Sequence, residues 1–172
     1  MKRVAIPLLL LALISVGPAK SATQVYPVGT KLGWATITVV GQQRALVRTD
    51  IVQGAGEAQL IRGLAHWEEP PLPGQGGTVV FSGHRTTWDH PLRDLDVWPK
   101  RKTVLRMYMY LPKRQALCYR LASTRIVRET DTSPAYKYRG RELIQTWACH
   151  PKGQRTHRII GYWWQTDCAG AD

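Results

Sequence analysis

The sequence predicts an all-β domain, a barrel or a sandwich. Three observations predict it: β-branched and aromatic residues gather in short apolar runs, Gly, Pro and charged clusters separate those runs at strand-like intervals, and only one segment carries helical spacing.

In chain order the runs are ATITVV (35–40), RALVR (44–48), TVVF (78–81), TVLRMYMYL (103–111), ALCYRLAST (116–124), RIV (125–127), LIQTWAC (143–149) and HRIIGYWW (157–164). LPKRQ (111–115) interrupts the apolar register between two alternating segments, so it reads as an exposed hairpin turn. The exception to the β pattern is GAGEAQLIRGLAHW (54–67), where Leu60, Ile61 and Leu64 share a helical face and predict a short helix. The Pro- and Gly-rich stretch EEPPLPGQGG (68–77) then forbids regular structure and reads as a rigid connector.

A chain of 172 residues, 44% hydrophobic and 21% charged, has the size of one domain and the composition of a folded one. Its first residues are laid out as an export signal: Met1, Lys2 and Arg3, an apolar run from Val4 to Val16, then Gly17, Pro18 and small or polar residues to Ala22. The run contains Pro7 and is shorter than the roughly 20 residues a membrane span needs. Residues 1–21 are therefore read as a cleavable signal, with Ala19 and Ser21 spaced for a peptidase, or as a short membrane anchor. Residues 22–172 form the domain.

Formal charge is +12, and loss of residues 1–21 would remove Lys2, Arg3 and Lys20 with no acid, leaving +9. Such a field attracts nucleic acid, anionic lipid or an anionic envelope polymer without specifying any of them, and export makes nucleic acid the least fitting. Cys118, Cys149 and Cys168 cannot all pair within one chain, so at least one thiol is free in a compartment that tolerates disulfides. A Cys118–Cys168 bridge that frees Cys149 is one of the conceivable pairings.

Three residues carry the candidate chemistry. Cys149 ends an apolar run and is followed at once by His150, Pro151, Lys152 and Gly153, which puts the thiol at the rim of a sheet. A thiol there, near His or Arg, can act as a nucleophile, although a free cysteine is more often a small packed hydrophobe. His84 follows TVVF in the turn Ser82-Gly83-His84-Arg85, outside its strand, where an acid or base can reach the same rim or simply be a loop residue. Arg158 opens the strand after that of Cys149, so a guanidinium could lie beside the thiol and hold an oxyanion; Arg155 is the competitor.

TVVFSGHRTTWDHPLRDLD (78–96) resembles the sortase segment in which a strand runs into Ala/Ser-Gly-His-Arg and then a Phe/Pro-Leu-x-x-Leu run. LIRGLAHWEEPPLPGQGG (60–77) is similar to that family's Leu-x-x-Gly-x-x-His/Tyr stretch closing on a Pro-Gly loop. LIQTWACHPKGQRTHRIIGY (143–162) resembles its nucleophile strand, loop and Arg-aliphatic strand. The likeness covers roughly residues 28–164, and Cys-His-Pro is closest to the short housekeeping members of class E or D type.

The resemblance implies a closed β-barrel of about eight strands with one or two short helices. It implies a cysteine transpeptidase in which Cys149 is the nucleophile, His84 the general acid and base, and Arg158 the stabiliser of oxyanion and substrate. Its partners would be surface proteins bearing a Leu-Pro-x-Thr-Gly or Leu-Ala-x-Thr-Gly motif and an amine on a cell-wall precursor or pilin, outside the cytoplasmic membrane. No cofactor and no metal are implied: Glu57, Glu68, Glu69, Asp94 and Asp96 form no loop-type calcium pattern. One position departs from the family, Ala148 standing where Thr usually precedes the cysteine. Strand alternation turns Ala148 away from the Cys149 face and gives that face Trp147. For the apolar groove, Leu60, Ile126, Val127 and Trp147 are the candidates.

Other readings start from the same residues. A metal hydrolase using His84, His90, Cys149 and His150 suffers from adjacent Cys149 and His150 pointing to opposite faces. A non-catalytic basic domain that binds envelope polymer would leave Cys149 merely packed, and a hydrolytic or inactive relative would follow from Ala148.

Overall fold

The computed structural model describes residues 25–169 apart from 43, 69–70, 87–89 and 137–139. The export signal or anchor expected over residues 1–21 lies outside the described residues, as does Glu69. Eight strands close into a barrel: β1 (Lys31–Val39), β2 (Val47–Gln53), β3 (Gly63–His66), β4 (Thr78–Ser82), β5 (Thr103–Met109), β6 (Gln115–Arg128), β7 (Leu143–His150) and β8 (His157–Thr166). Their order around the barrel is β1-β2-β3-β4-β7-β8-β6-β5. The pairs β2/β3 and β4/β7 are parallel and the rest antiparallel.

The strands form where period-2 patterning can fill the barrel. On β5, Leu105, Met107 and Met109 point inward while Arg106 and Tyr108 are partly exposed, and on β1 Ala35 and Ile37 alternate with Thr36 and Thr38. Closure removes the open sheet edge that invites association with other chains. The core gathers Phe81, Leu95, Trp98, Tyr119 and Trp163 with aliphatics from every strand. Inside it, Trp163 Nε1 donates to Thr146 Oγ1 at 2.9 Å, satisfying both buried groups.

Several local expectations are sharpened. The helix read over 54–67 is a single turn, α1 (Glu57–Leu60), and its expected second half is β3. Leu64 therefore faces the barrel core instead of a helix face. A four-residue helix cannot pay the nucleation cost alone, whereas β3 gains a parallel partner in β2, from Asp50↔Gly63 to Gln53↔His66. The run at 44–48 begins its strand only at Val47, and the runs at 116–124 and 125–127 merge into the single long β6. Of LPKRQ, residues 111–114 lie in the β5–β6 turn, with Pro112, Lys113 and Arg114 exposed, and Gln115 opens β6.

The Pro-Gly connector is strapped to the barrel by one buried carboxylate. Glu142 accepts from the backbone N–H of Gly74 and Gly76, at 3.0 and 2.7 Å, and from the Tyr119 hydroxyl at 2.5 Å. Burial first, and then the Glu142 charge, push the Tyr119 hydroxyl far above its ordinary range, so it stays a donor. Next to Tyr119 on β6, Cys118 is disulfide-bonded to Cys168, fixing the segment beyond β8 onto β6 and leaving Cys149 as the free thiol.

Candidate active site

β7 is buried on both faces for most of its length, the inward side by the barrel core and the outward side by the turn Ser133–Tyr136. Gln145 ties that turn down by donating to the Pro134 carbonyl at 2.7 Å, and its own carbonyl receives Trp147 Nε1 at 3.0 Å. Alternation sends Ala148 into the core cluster and Trp147 outward, where it meets Trp67 with ring centroids 5.5 Å apart. Cys149, two positions after Trp147, emerges on the same outward side at the strand end.

Register then aligns three side chains at one level. β4 and β7 run parallel and in step from Thr78↔Leu143 to Ser82↔Trp147, and the Gly83 N–H donates to the Trp147 carbonyl at 3.0 Å. The same step brings His84 level with Cys149. On the far side of β7, Cys149 is directly paired with Arg158 of β8. Gly83 is needed for the turn because Leu92 and Pro91 pack against its Cα; an added Cβ would lie 3.0 Å from Leu92 Cδ1.

His84, Cys149 and Arg158 all line one cleft of about 340 Å³, together with Ala55, Glu57, Leu60, Trp67, Glu129, Trp147 and Arg155. Arg158 donates one guanidinium N–H to Cys149 Sγ at 3.0 Å and another to Glu129 Oε1 at 2.7 Å. His84 Nε2 lies 3.3 Å from Glu57 Oε1, off the line of a hydrogen bond. The cleft thus opens at the strand ends with the Arg158 N–H aimed at the Cys149 sulfur.

Arg85, next to His84, is buried behind the thiol. It donates to Asp96 Oδ1 at 2.6 Å, reaches the Cys149 carbonyl at 3.5 Å, and sits 3.3 Å from His150 Nδ1. Burial pushes the Asp96 carboxyl upward, but the Arg85 hydrogen bond and charge outweigh it and hold Asp96 below its usual value. The turn carrying His84 and the strand end carrying Cys149 are thus clamped by the same guanidinium.

Of the expected groove residues, Leu60 and Trp147 line the cleft, whereas Ile126 projects to solvent and Val127 packs in the outer cluster with Val80 and Ile160. Arg155 lines the cleft too, but Arg158 holds the sulfur contact. Among the described residues no group of three or more His, Cys, Asp or Glu could hold a metal, and His150 Nδ1 faces a guanidinium. Sequence reasoning did not find Glu129, Trp67 or the role of Arg85. Each acts through a partner far along the chain, and nothing local marks it.

The sortase domain family matches residues 41–162 of this chain. The chain belongs to the sortase family. Solved sortases share its fold at low identity. Sortase C1 from Streptococcus suis superposes with a TM-score of 0.65 at 18% identity, over 81% of this chain and 74% of that one. A Clostridium perfringens sortase C, solved with the C-terminal cell wall sorting motif, gives 0.64 at 18% identity over 82% and 73%. A lid mutant of sortase A from Corynebacterium diphtheriae gives 0.63 at 22% identity over 80% and 72%. No curated protein matches the chain. The closed eight-stranded barrel expected from the resemblance is the fold of this sortase.

Proposed function

We propose that this sortase is a cysteine transpeptidase that cuts a Leu-Pro-x-Thr-Gly-like or Leu-Ala-x-Thr-Gly-like sorting motif and joins the acyl product to an amine. The observation that carries the reading is the Arg158–Cys149 contact, 3.0 Å from guanidinium to sulfur, at the level of His84 in one cleft. Cys149 thiolate attacks the Thr carbonyl, and the guanidinium of Arg158 follows the negative charge from sulfur to the carbonyl oxygen of the tetrahedral intermediate. His84 gives a proton to the departing Gly amine, leaving a thioester and a neutral imidazole. It then accepts a proton from the incoming amine.

Leu60, Trp67 and Trp147 supply the apolar wall of the cleft, against which the aliphatic start of such a motif would lie. The donors would be surface proteins carrying the motif at their C termini, and the acceptor an amine on a cell-wall precursor or pilin. Placement outside the cytoplasmic membrane is supported by the Cys118–Cys168 disulfide and by the signal-like or anchor-like residues 1–21.

The test is incubation with a panel of sorting-motif peptides and hydroxylamine, with products read by mass spectrometry. Hydroxamate formed by the wild type and not by Cys149→Ala is the expected result. No cleavage by folded, reduced protein would reject thioester chemistry and favour a binding-only domain.

A further inference from the structure

We infer that Glu57 is the docking group for the charged form of the amine acceptor; this deepens the transpeptidase reading above and rests on it. Glu57 opens α1 on the β3 side of the cleft, and its carboxylate lies 3.3 Å from His84 Nε2. That nitrogen is buried with no hydrogen-bond partner among the described residues, and the Glu57 carboxylate stands beside it, so an ammonium ion held by Glu57 is brought next to the imidazole. Glu57 itself is 62% exposed.

Charge distribution singles this carboxylate out. Basic residues outnumber acidic ones 24 to 12, and the β8 side of the cleft carries Arg155 and Arg158. The other acid in the cleft, Glu129, is already taken by Arg158 at 2.7 Å. A primary amine arrives in neutral water as an ammonium ion, which the arginine side repels. Glu57 offers it the compensating charge next to the base that must take its proton.

The step balances. The docked ammonium gives one proton to neutral His84. Its nitrogen forms the new bond to the thioester carbonyl carbon, and the carbon–sulfur bond breaks. Cys149 leaves as thiolate beside Arg158, and the second proton from nitrogen passes to water. The amide product and the starting thiolate–imidazolium pair result.

The experiment compares two nucleophiles on one acyl-enzyme: triglycine amide, whose amine is charged at neutral pH, and hydroxylamine, which is uncharged. The full chain is used, and the ratio of peptide product to hydroxamate is read by mass spectrometry across acceptor concentrations. Glu57→Gln is expected to lower that ratio about tenfold or more through a higher KM for triglycine amide. Glu57→Asp should keep most of it, and added salt should shrink the difference between wild type and Glu57→Gln. An unchanged ratio in Glu57→Gln, with both products reduced together, would overturn the inference and leave Glu57 as a support for His84 alone. Absence of hydroxamate from the wild type would instead remove the transpeptidase reading, and this inference with it.

Discussion

Arg158 and Cys149 are direct partners across the β7–β8 ladder, and the guanidinium of one donates to the sulfur of the other at 3.0 Å. The planar fork of arginine lets a second N–H bind Glu129 at the same time, which a lysine ammonium cannot reproduce in the same geometry. Arg158→Lys is therefore expected to lower kcat/KM for peptide cleavage about 10²-fold, and Arg158→Ala about 10³-fold, the range lost when an oxyanion donor is removed. Circular dichroism and thermal melts should show both variants folded, since the Arg158 side chain is 29% exposed. Equal activity of Arg158→Lys and wild type would mean that charge alone, not the fork, matters.

Glu129 holds the other end of that fork. Replacing it by Gln removes the charge that orients Arg158 and balances Arg155 in the cleft, yet leaves the apolar wall intact. Steady-state kinetics should show kcat reduced about tenfold with KM nearly unchanged, with partial recovery in Glu129→Asp. A change confined to KM would place Glu129 in peptide binding instead.

Much of the site was legible because two short motifs each put one functional group at a strand end. The break after Cys149 and the glycine before His84 mark chain exits, and parallel pairing of β4 with β7 converts those exits into neighbours. That pairing cannot be read from either segment alone, because a parallel register depends on which strands the crossover brings together. The same limit hid Glu129 and Arg85, whose partners Arg158 and the Cys149 carbonyl meet them only once the strands have paired. At residues 63–66 a local helical spacing loses to a sheet partner, so Leu64 fills the barrel core from a strand and not from a helix.

The Cys118–Cys168 disulfide should matter to stability and not to chemistry. It lies at the C-terminal end of β8, where Cys118 pairs with Thr166, while Arg158 is near the other end of the same strand, roughly 25 Å away at strand rise. Closing a loop of 50 residues constrains the unfolded chain by about 4 kcal/mol on the chain-entropy account. Cys118→Ser/Cys168→Ser is expected to melt well below wild type in scanning calorimetry while keeping wild-type hydroxamate formation at 25 °C. A large loss of activity in the folded double variant would show that the bridge reaches the cleft.

Acid lability should have two separable windows. His66 is buried between Gln53 and the Pro71 carbonyl, and desolvation lowers its pKa from 6.5 to about 4, only partly offset by the bond to Pro71. Because the unfolded chain takes up the proton first, stability falls as pH drops from 6.5 towards 4, by roughly 3 kcal/mol if the full shift is realised. Asp96 works lower down: its carboxyl is held below 3.8, so its contribution with Arg85 is intact above that value and is lost as pH falls further. Urea denaturation at a series of pH values separates them. His66→Phe should be less stable at pH 8, where the imidazole's hydrogen bonds are lost, but its stability should no longer slope between pH 6.5 and 4. Asp96→Asn should flatten only the region below pH 4. A wild-type slope retained in His66→Phe would assign the upper window to another group.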